Sequence, residues 1–202
     1  MSTEEHILVI PASFIDAIGK IDGFEPDVDR FLSPILNSDQ LSFQPRGPME
    51  VDPSYKQLIP YCVMTSRDPN GLMKVFTYTR GGGGGEARLH AKRSVGIGGH
   101  ISQEDEDSPG NTYLVGMQRE LNEEVTINAS YTESKIGLIY DPSTEVGQVH
   151  LGVVHLFHLN APEVCSNEAD LAEGEFLSID ELRAQFDRLE TWSQLVLEHL
   201  GS

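Results

Sequence analysis

The stretch Arg119-Glu120-Leu121-Asn122-Glu123-Glu124, set behind the turn Val95-Gly96-Ile97-Gly98-Gly99-His100-Ile101, constrains this chain more than any other. The upstream segment reads as a strand running into a tight glycine turn, and the downstream one as a helix. At about 100° per residue, Leu114, Met117, Leu121 and Val125 fall on one side of that helix, and Glu120, Glu123 and Glu124 share a sector on the other. Gly116 falls on the acidic sector, which predicts open space beside the carboxylates. Glu120 and Glu124 are like charges at i,i+4, which costs an isolated helix a few tenths of a kcal/mol, so the face calls for a cation. Mg²⁺ suits it: a hard ion that keeps several waters and bridges one or two carboxylates to substrate phosphates. A bare acidic face is more often simply solvated, and it is the glycine turn ahead of it that points to chemistry.

These residues resemble the signature of the Nudix hydrolase family, the MutT-like phosphohydrolases: G-x5-E-x7-R-E-U-x-E-E-x-G-U, with U aliphatic. Gly99 fits the opening glycine, Arg119, Glu120, Leu121, Glu123 and Glu124 the central block, and Ile127 the closing aliphatic. The box is irregular. Gly99 and Arg119 are 20 residues apart where the signature has 14, so six residues are inserted, within Ser102 to Gly110. Asn111 stands where the family has a glutamate, and Thr126 where it has its last glycine. In the family that glutamate helps fix the arginine, a job open here to Glu104, Asp105, Glu106 or Asp107.

The resemblance spans residues 58–200. It implies an α+β, Nudix-like mixed sheet sandwiched between helices (α/β/α), with residues 1–57 as an N-terminal extension packed on a hydrolase domain of residues 58–202. It also implies metal held by Glu120, Glu123 and Glu124 with the Gly98 carbonyl, the ion being Mg²⁺ or Mn²⁺. Catalysis is assigned to Glu120 and Glu123, with Arg119 orienting a glutamate. For the general base, Glu120 competes with Asp170, Glu173 and Glu175. The implied reaction is hydrolysis of a phosphoanhydride in a nucleoside diphosphate linked to another group. In the family a proline about fifteen residues beyond the box goes with ADP-ribose hydrolysis, and Pro142 lies fifteen after Ile127. Two other readings stay open. An isoprenyl-diphosphate isomerase would need an acid/base pair and often a cysteine, for which Cys62 and Cys165 are available. A catalytically inactive nucleotide-binding module would usually have lost box glutamates, and all three are present.

Charge bears on partners. The formal net charge is -18 over 202 residues and the sequence pI is about 4.6. Such a field repels nucleic-acid phosphates, so the expected partner is a small nucleotide-like diphosphate. Six of the fourteen basic residues, Arg67, Lys74, Arg80, Arg88, Lys92 and Arg93, nevertheless cluster between 67 and 93. Arg88, Lys92 and Arg93 are the candidates for binding substrate phosphates. Two cysteines without C-x-x-C spacing indicate neither a disulfide framework nor a zinc site. No apolar run reaches the length of a membrane span, and Glu4 and Glu5 replace the basic start of a signal peptide, so a cytoplasmic protein is expected.

Period and turn signals predict the remaining elements. His6–Pro11 reads as a strand, 12–20 as a helix capped by Ser13, and 27–36 as a second helix. The N-terminal segment has two uses open to it, cover for the active site or a homodimer contact. Residues 61–66 and 73–79 read as a hairpin around Asp68-Pro69-Asn70-Gly71. The run Gly81 to Gly85 reads as a loop. Residues 131–140, 148–159 and 175–178 read as strands, and 179–189 and 190–200 as helices. His155 falls on the opposite strand face from His150 and His158, which argues against a three-histidine metal site. His100 is expected to make a structural hydrogen bond.

Overall fold

The computed structural model describes residues 4–81, 92–167 and 171–200. In chain order the strands are β1 (His6–Pro11), β2 (Gly23–Glu25), β3 (Ser42–Pro45), β4 (Tyr55–Arg67), β5 (Met73–Arg80), β6 (Arg93–Ser94), β7 (Gly96–Ile97), β8 (Val125–Ile127), β9 (Tyr131–Tyr140), β10 (His150–Leu159), β11 (Val164–Ser166) and β12 (Leu171–Ser178). The helices are α1 (Ala12–Ile18), α2 (Val28–Leu36), α3 (Arg46–Met49), α4 (Thr112–Glu124), α5 (Glu145–Val149), α6 (Ile179–Arg183) and α7 (Thr191–Leu200). The class is α+β. The chain divides into two compact units, one of residues 1–61, 98–120 and 135–154, the other of residues 62–97, 121–134 and 155–202.

In the first unit β1 pairs antiparallel with β3, Ile7 opposite Gln44, and with the start of β4, Val9 opposite Gln57. Strand alternation sends Leu8 and Ile10 to one face and Ile7 and Val9 to the other, and both faces are buried. Leu8 and Ile10 join Ile15, Phe31, Ile35, Leu58, Ile101, Tyr113 and Leu138 in one core, so the N-terminal elements share their hydrophobic cluster with the glycine-turn segment and the start of α4. Ile7 and Val9 pack with Met49. In the second unit β5 lies between β12 and the end of β4, with Phe176 opposite Phe76 and Thr65 opposite Val75. The Phe76 and Phe176 ring centroids are 5.5 Å apart.

Several elements depart from sequence expectation for identifiable reasons. Helix α1 is not capped by Ser13: the chain passes from strand to helix at Pro11, and the Ala12 N–H donates to the Ser54 carbonyl at 2.8 Å. The helix at 28–36 is capped by the Asp27 side chain. Strand β4 begins at Tyr55 and runs through Pro60, ahead of the start at residue 61 expected from sequence. Residues 145–149, partly assigned to a strand, form α5, because the Thr144 hydroxyl accepts from the Gly147 N–H at 3.0 Å. A Cβ on Gly147 would stand 1.8 Å from the Asp141 carbonyl oxygen, so only glycine fits. The expected helix over 179–189 stops at Arg183. Residues 186–188 form a 3-10 turn, after which the Glu190 N–H donates to the Arg93 carbonyl at 2.9 Å.

Phe31 is fully buried in the first unit's core. Phe31→Ala should therefore destabilise the protein by about 3–5 kcal/mol, the range for emptying an aromatic site in a packed core, read from urea unfolding.

Candidate active site

The turn that follows β7 is built on close approach. A Cβ at Gly98 would lie 2.4 Å from the Pro60 carbonyl oxygen, and one at Gly99 would lie 1.9 Å from Oε2 of Glu120. Gly99 is thus the residue that lets the Glu120 carboxylate lie against the turn. The turn is anchored on its far side, where the Leu8 N–H donates to the Ile101 carbonyl at 2.9 Å and Ile7 bridges to Ser102.

Of the four acidic residues of the insert, Asp105 holds the arginine. Arg119 Nε donates to Asp105 Oδ1 at 2.8 Å and Nη2 to Asp105 Oδ2 at 3.0 Å, a bidentate pair. Nη2 also donates to the His100 carbonyl at 3.0 Å, and Nη1 to Oε1 of Glu120 at 2.8 Å. The Asp105 side chain is 3% exposed. It is fixed by a 3-10 turn over Gln103–Asp107, where its Oδ2 accepts from the Ser102 N–H at 2.8 Å. The hydrogen bonds to Asp105, reinforced by Glu120 and opposed by partial burial, raise the guanidinium pKa.

The two departures of the box acquire structural accounts. Asn111 caps α4, its Oδ1 accepting from the Leu114 N–H at 3.1 Å. In the second unit the end of α4 runs directly into β8, and Asn167 serves its last carbonyls, with Nδ2 donating to the Asn122 oxygen at 2.8 Å and the backbone N–H to that of Glu124 at 2.8 Å. Thr126 Oγ1 donates to Asn167 Oδ1 at 2.8 Å, so no glycine is needed to end the helix. Two helical-wheel expectations are corrected. Leu114 is 40% exposed, and Tyr113 takes the core position instead. Gly116 leaves no open space: a Cβ there would meet Asp105 Oδ2 at 2.4 Å and Ile101 Cδ1 at 2.8 Å. It is the gap into which Asp105 fits.

His100 makes the expected hydrogen bond within a buried polar chain. Gln57 Nε2 donates to the Met49 carbonyl at 2.9 Å, which turns its Oε1 towards His100 Nε2–H at 2.6 Å. His150 Nδ1–H donates to the Val146 carbonyl at 2.7 Å, leaving the lone pair of its Nε2 facing His100 Nε2 at 3.5 Å. Burial first, then the nearby Arg46 and His150, lower the His100 pKa to about 3, so the ring is neutral at physiological pH. Sequence reading missed Gln57, which no local motif marks.

The candidates in the second unit are each engaged. The Arg93 side chain is 7% exposed and donates to Glu175 Oε1 at 2.7 Å, and Lys92 Nζ donates to the Asp187 carbonyl at 2.7 Å. Glu173 has φ 55° at an irregularity in the β12–β5 ladder, and its Oε2 accepts from Thr79 Oγ1 at 2.9 Å. Arg88, Asp170 and residues 82–85 of the glycine run lie outside the described residues. His155 pairs with Glu133 at 2.7 Å while His158 meets the Thr65 hydroxyl at 2.9 Å. Cys62 is 1% exposed, and burial pushes its thiol pKa up, which suits a core residue rather than an isomerase acid.

The donor set of α4 suits a hard divalent ion. Three carboxylates fall within five residues of one helix; Glu123 is exposed, Glu124 half-buried and Glu120 oriented by Arg119. Among the described residues no three His, Cys, Asp or Glu side chains are gathered closely enough to hold a metal ion without water between them. Mg²⁺ retains waters and needs no closed cage.

The arrangement makes Gly116→Ala a discriminating substitution. Alanine gains about 1 kcal/mol of helix propensity over glycine. Displacing Asp105 and Ile101 costs about 1–3 kcal/mol as overpacking. Urea unfolding should show a net loss of stability, and a gain would contradict this placement of Asp105.

No family model matches the chain. Protein YmaB of Bacillus subtilis (strain 168) is 38% identical over 161 residues, covering 77% of this chain and 76% of YmaB. The crystal structure of Tm1382, proposed to be a Nudix hydrolase, superposes with a TM-score of 0.77 at 32% identity, covering 97% of this chain and 98% of that one. The NUDIX domain of Shewanella oneidensis NrtR, complexed with ADP ribose, shares the fold at a TM-score of 0.54 and 13% identity, over 71% of this chain and 84% of that one. A bifunctional NMN adenylyltransferase/ADP ribose pyrophosphatase from Francisella tularensis, complexed with AMP and a Mn ion, does so at 0.50 and 18%, over 72% of this chain and 41% of that one. Among the described residues no helix is long and apolar enough to cross a membrane. With its box helix, its Gly98-Gly99 turn and a 32%-identical counterpart covered over nearly its whole length, the chain belongs to the Nudix hydrolase family.

Proposed function

We propose that the protein is a metal-dependent hydrolase of a phosphoanhydride in a nucleoside diphosphate linked to another moiety, with ADP-ribose the first candidate substrate. The observation that carries this reading is the Arg119 clamp, which fixes Glu120 on the helix that also bears Glu123 and Glu124. Glu120, Glu123 and Glu124, with the Gly98 carbonyl, would hold Mg²⁺ or Mn²⁺. An ion held there would supply neutralisation of phosphate charge and a more acidic water for attack at phosphorus. The water's proton passes to a carboxylate, and Glu120, with Oε1 set by Arg119, has the fixed orientation a base requires. Asp105 acts through Arg119, since partners of ligands govern metal affinity and ligand geometry.

Support for ADP-ribose comes from Pro142, fifteen residues after Ile127, and from fold neighbours that bind or cleave that compound. Lys92 and Arg93 are tied to other groups in the second unit, so substrate phosphates fall to them only if those bonds open, and Arg88 joins them as a candidate from sequence. Retention of all three helix glutamates favours turnover over a binding module.

Two measurements test this reading. Glu123→Gln should lower turnover at least about 100-fold, as loss of a group stabilising transition-state charge does, while changing stability by no more than about 0.5 kcal/mol. Hydrolysis in ¹⁸O-water should place the label on a phosphate product. Unchanged turnover in the variant removes the metal assignment, and label on a sugar carbon removes attack at phosphorus.

A further inference from the structure

The first unit contains a cavity of 370 Å³, within the size range of small-molecule sites. Ile15, Ile21 and Leu151 supply apolar wall, and Asp16, Lys56 and Tyr140 line the same space. Lysine is almost never fully buried unless paired, yet Lys56 is only 6% exposed. Its Nζ donates to the carbonyls of Pro53 at 2.7 Å and Gln148 at 2.5 Å and stands 5.1 Å from the centroid of the Tyr140 ring. An ammonium has three N–H groups, and among the described residues no oxygen or nitrogen takes the third. Burial lowers the Lys56 pKa, and two nearby carboxylates, Asp16 and Asp52, work against it. Asp52 is occupied, its Oδ1 accepting from the Ser54 N–H at 2.9 Å and from the Ser54 hydroxyl at 2.6 Å. Asp16, exposed on α1, has no hydrogen-bond or ion-pair partner among the described residues. One buried cation and one exposed anion thus line a single cavity without being joined.

We propose that this cavity binds a free α-amino acid with an apolar side chain, a ligand distinct from the phosphoanhydride substrate. Charge decides the class. An anion alone is repelled by Asp16 and a cation alone by Lys56, so phosphates and simple amines are each opposed by one of the two. A wholly apolar occupant would strip both of water without giving either a partner. A neutral polar occupant gives each a weaker bond, because hydrogen bonds to an ionised partner are strongest when both groups are charged. A zwitterion meets both charges. In an α-amino acid the carboxylate and the ammonium are carried by one carbon, so the pair can bridge two groups that face one space without touching. The carboxylate accepts the third N–H of Lys56, the ammonium donates to Asp16, and the side chain lies on Ile15, Ile21 and Leu151. The proposal goes beyond the hydrolase reading and does not depend on it.

The test is calorimetric titration of the full chain in EDTA with leucine and phenylalanine, and with the deaminated acid and the decarboxylated amine of each. Saturable binding of at least one of the two amino acids is expected, about tenfold or more tighter than binding of its acid or its amine, each of which forfeits one charge-assisted hydrogen bond. Asp16→Asn should weaken the amino acid about tenfold or more and leave the deaminated acid no weaker than in wild type, because only the ammonium uses Asp16. Ala12→Phe, which fills the cavity from the first residue of α1, should abolish binding with the circular dichroism spectrum unchanged. Absence of saturable binding by either amino acid at millimolar concentration overturns the proposal. So does binding of the acid or the amine as tight as that of the amino acid, or amino-acid binding indifferent to both substitutions.

Discussion

The bidentate pair between Asp105 and Arg119 is the interaction on which the site's geometry rests. One guanidinium joins the inserted 3-10 turn, the backbone of the glycine turn and the carboxylate of Glu120. A fork of fixed donors can do this where a lysine cannot, because its N–H groups leave a rigid plane in set directions. Asp105 is itself held by the Ser102 N–H, and Gly116 keeps the space it occupies. Removing the carboxylate would cost Arg119 its bidentate partner, and Glu120 would lose its reference point.

That clamp stands on a core drawn from both ends of the first unit's sequence. The segment that carries Gly98 and Gly99 continues into Ile101, which is fully buried beside Leu8, Ile10 and Leu58. The Leu8 to Ile101 hydrogen bond and the Ile7 to Ser102 bridge place the insert by pairing it with β1. The chain of Gln57, His100 and His150, in which burial keeps His100 neutral, fixes the turn from its other side. A site of this kind needs rigid support, because a metal ligand displaced by a fraction of an ångström loses affinity.

What the sequence made legible follows from the range of the interactions. The glycine turn, the box helix and its three glutamates are local patterns, and so is the alternation of β1. Asp105 was narrowed to four neighbours, because the insertion length shows that something must replace the glutamate at Asn111 but not which side chain reaches back. Gly116 and Leu114 were misread because helical periodicity gives angles only, and which sector is covered depends on how the insert packs. Gln57 and Lys56 carry no signal in sequence: adjacent on β4, they point to opposite faces and meet partners 43 and 92 residues away. Arg93 read as a phosphate ligand from charge alone, and its pairing with Glu175 depends on strand register.

Manganese binding, measured by electron paramagnetic resonance titration of wild type and Asp105→Asn, tests the central claim most directly, because Asp105 reaches Glu120 by way of Arg119. Substituting a residue that orients a metal ligand costs about 10–100-fold in affinity. The account predicts a loss of that size with one site still occupied at saturation, and an affinity equal to that of wild type in a folded variant would contradict it.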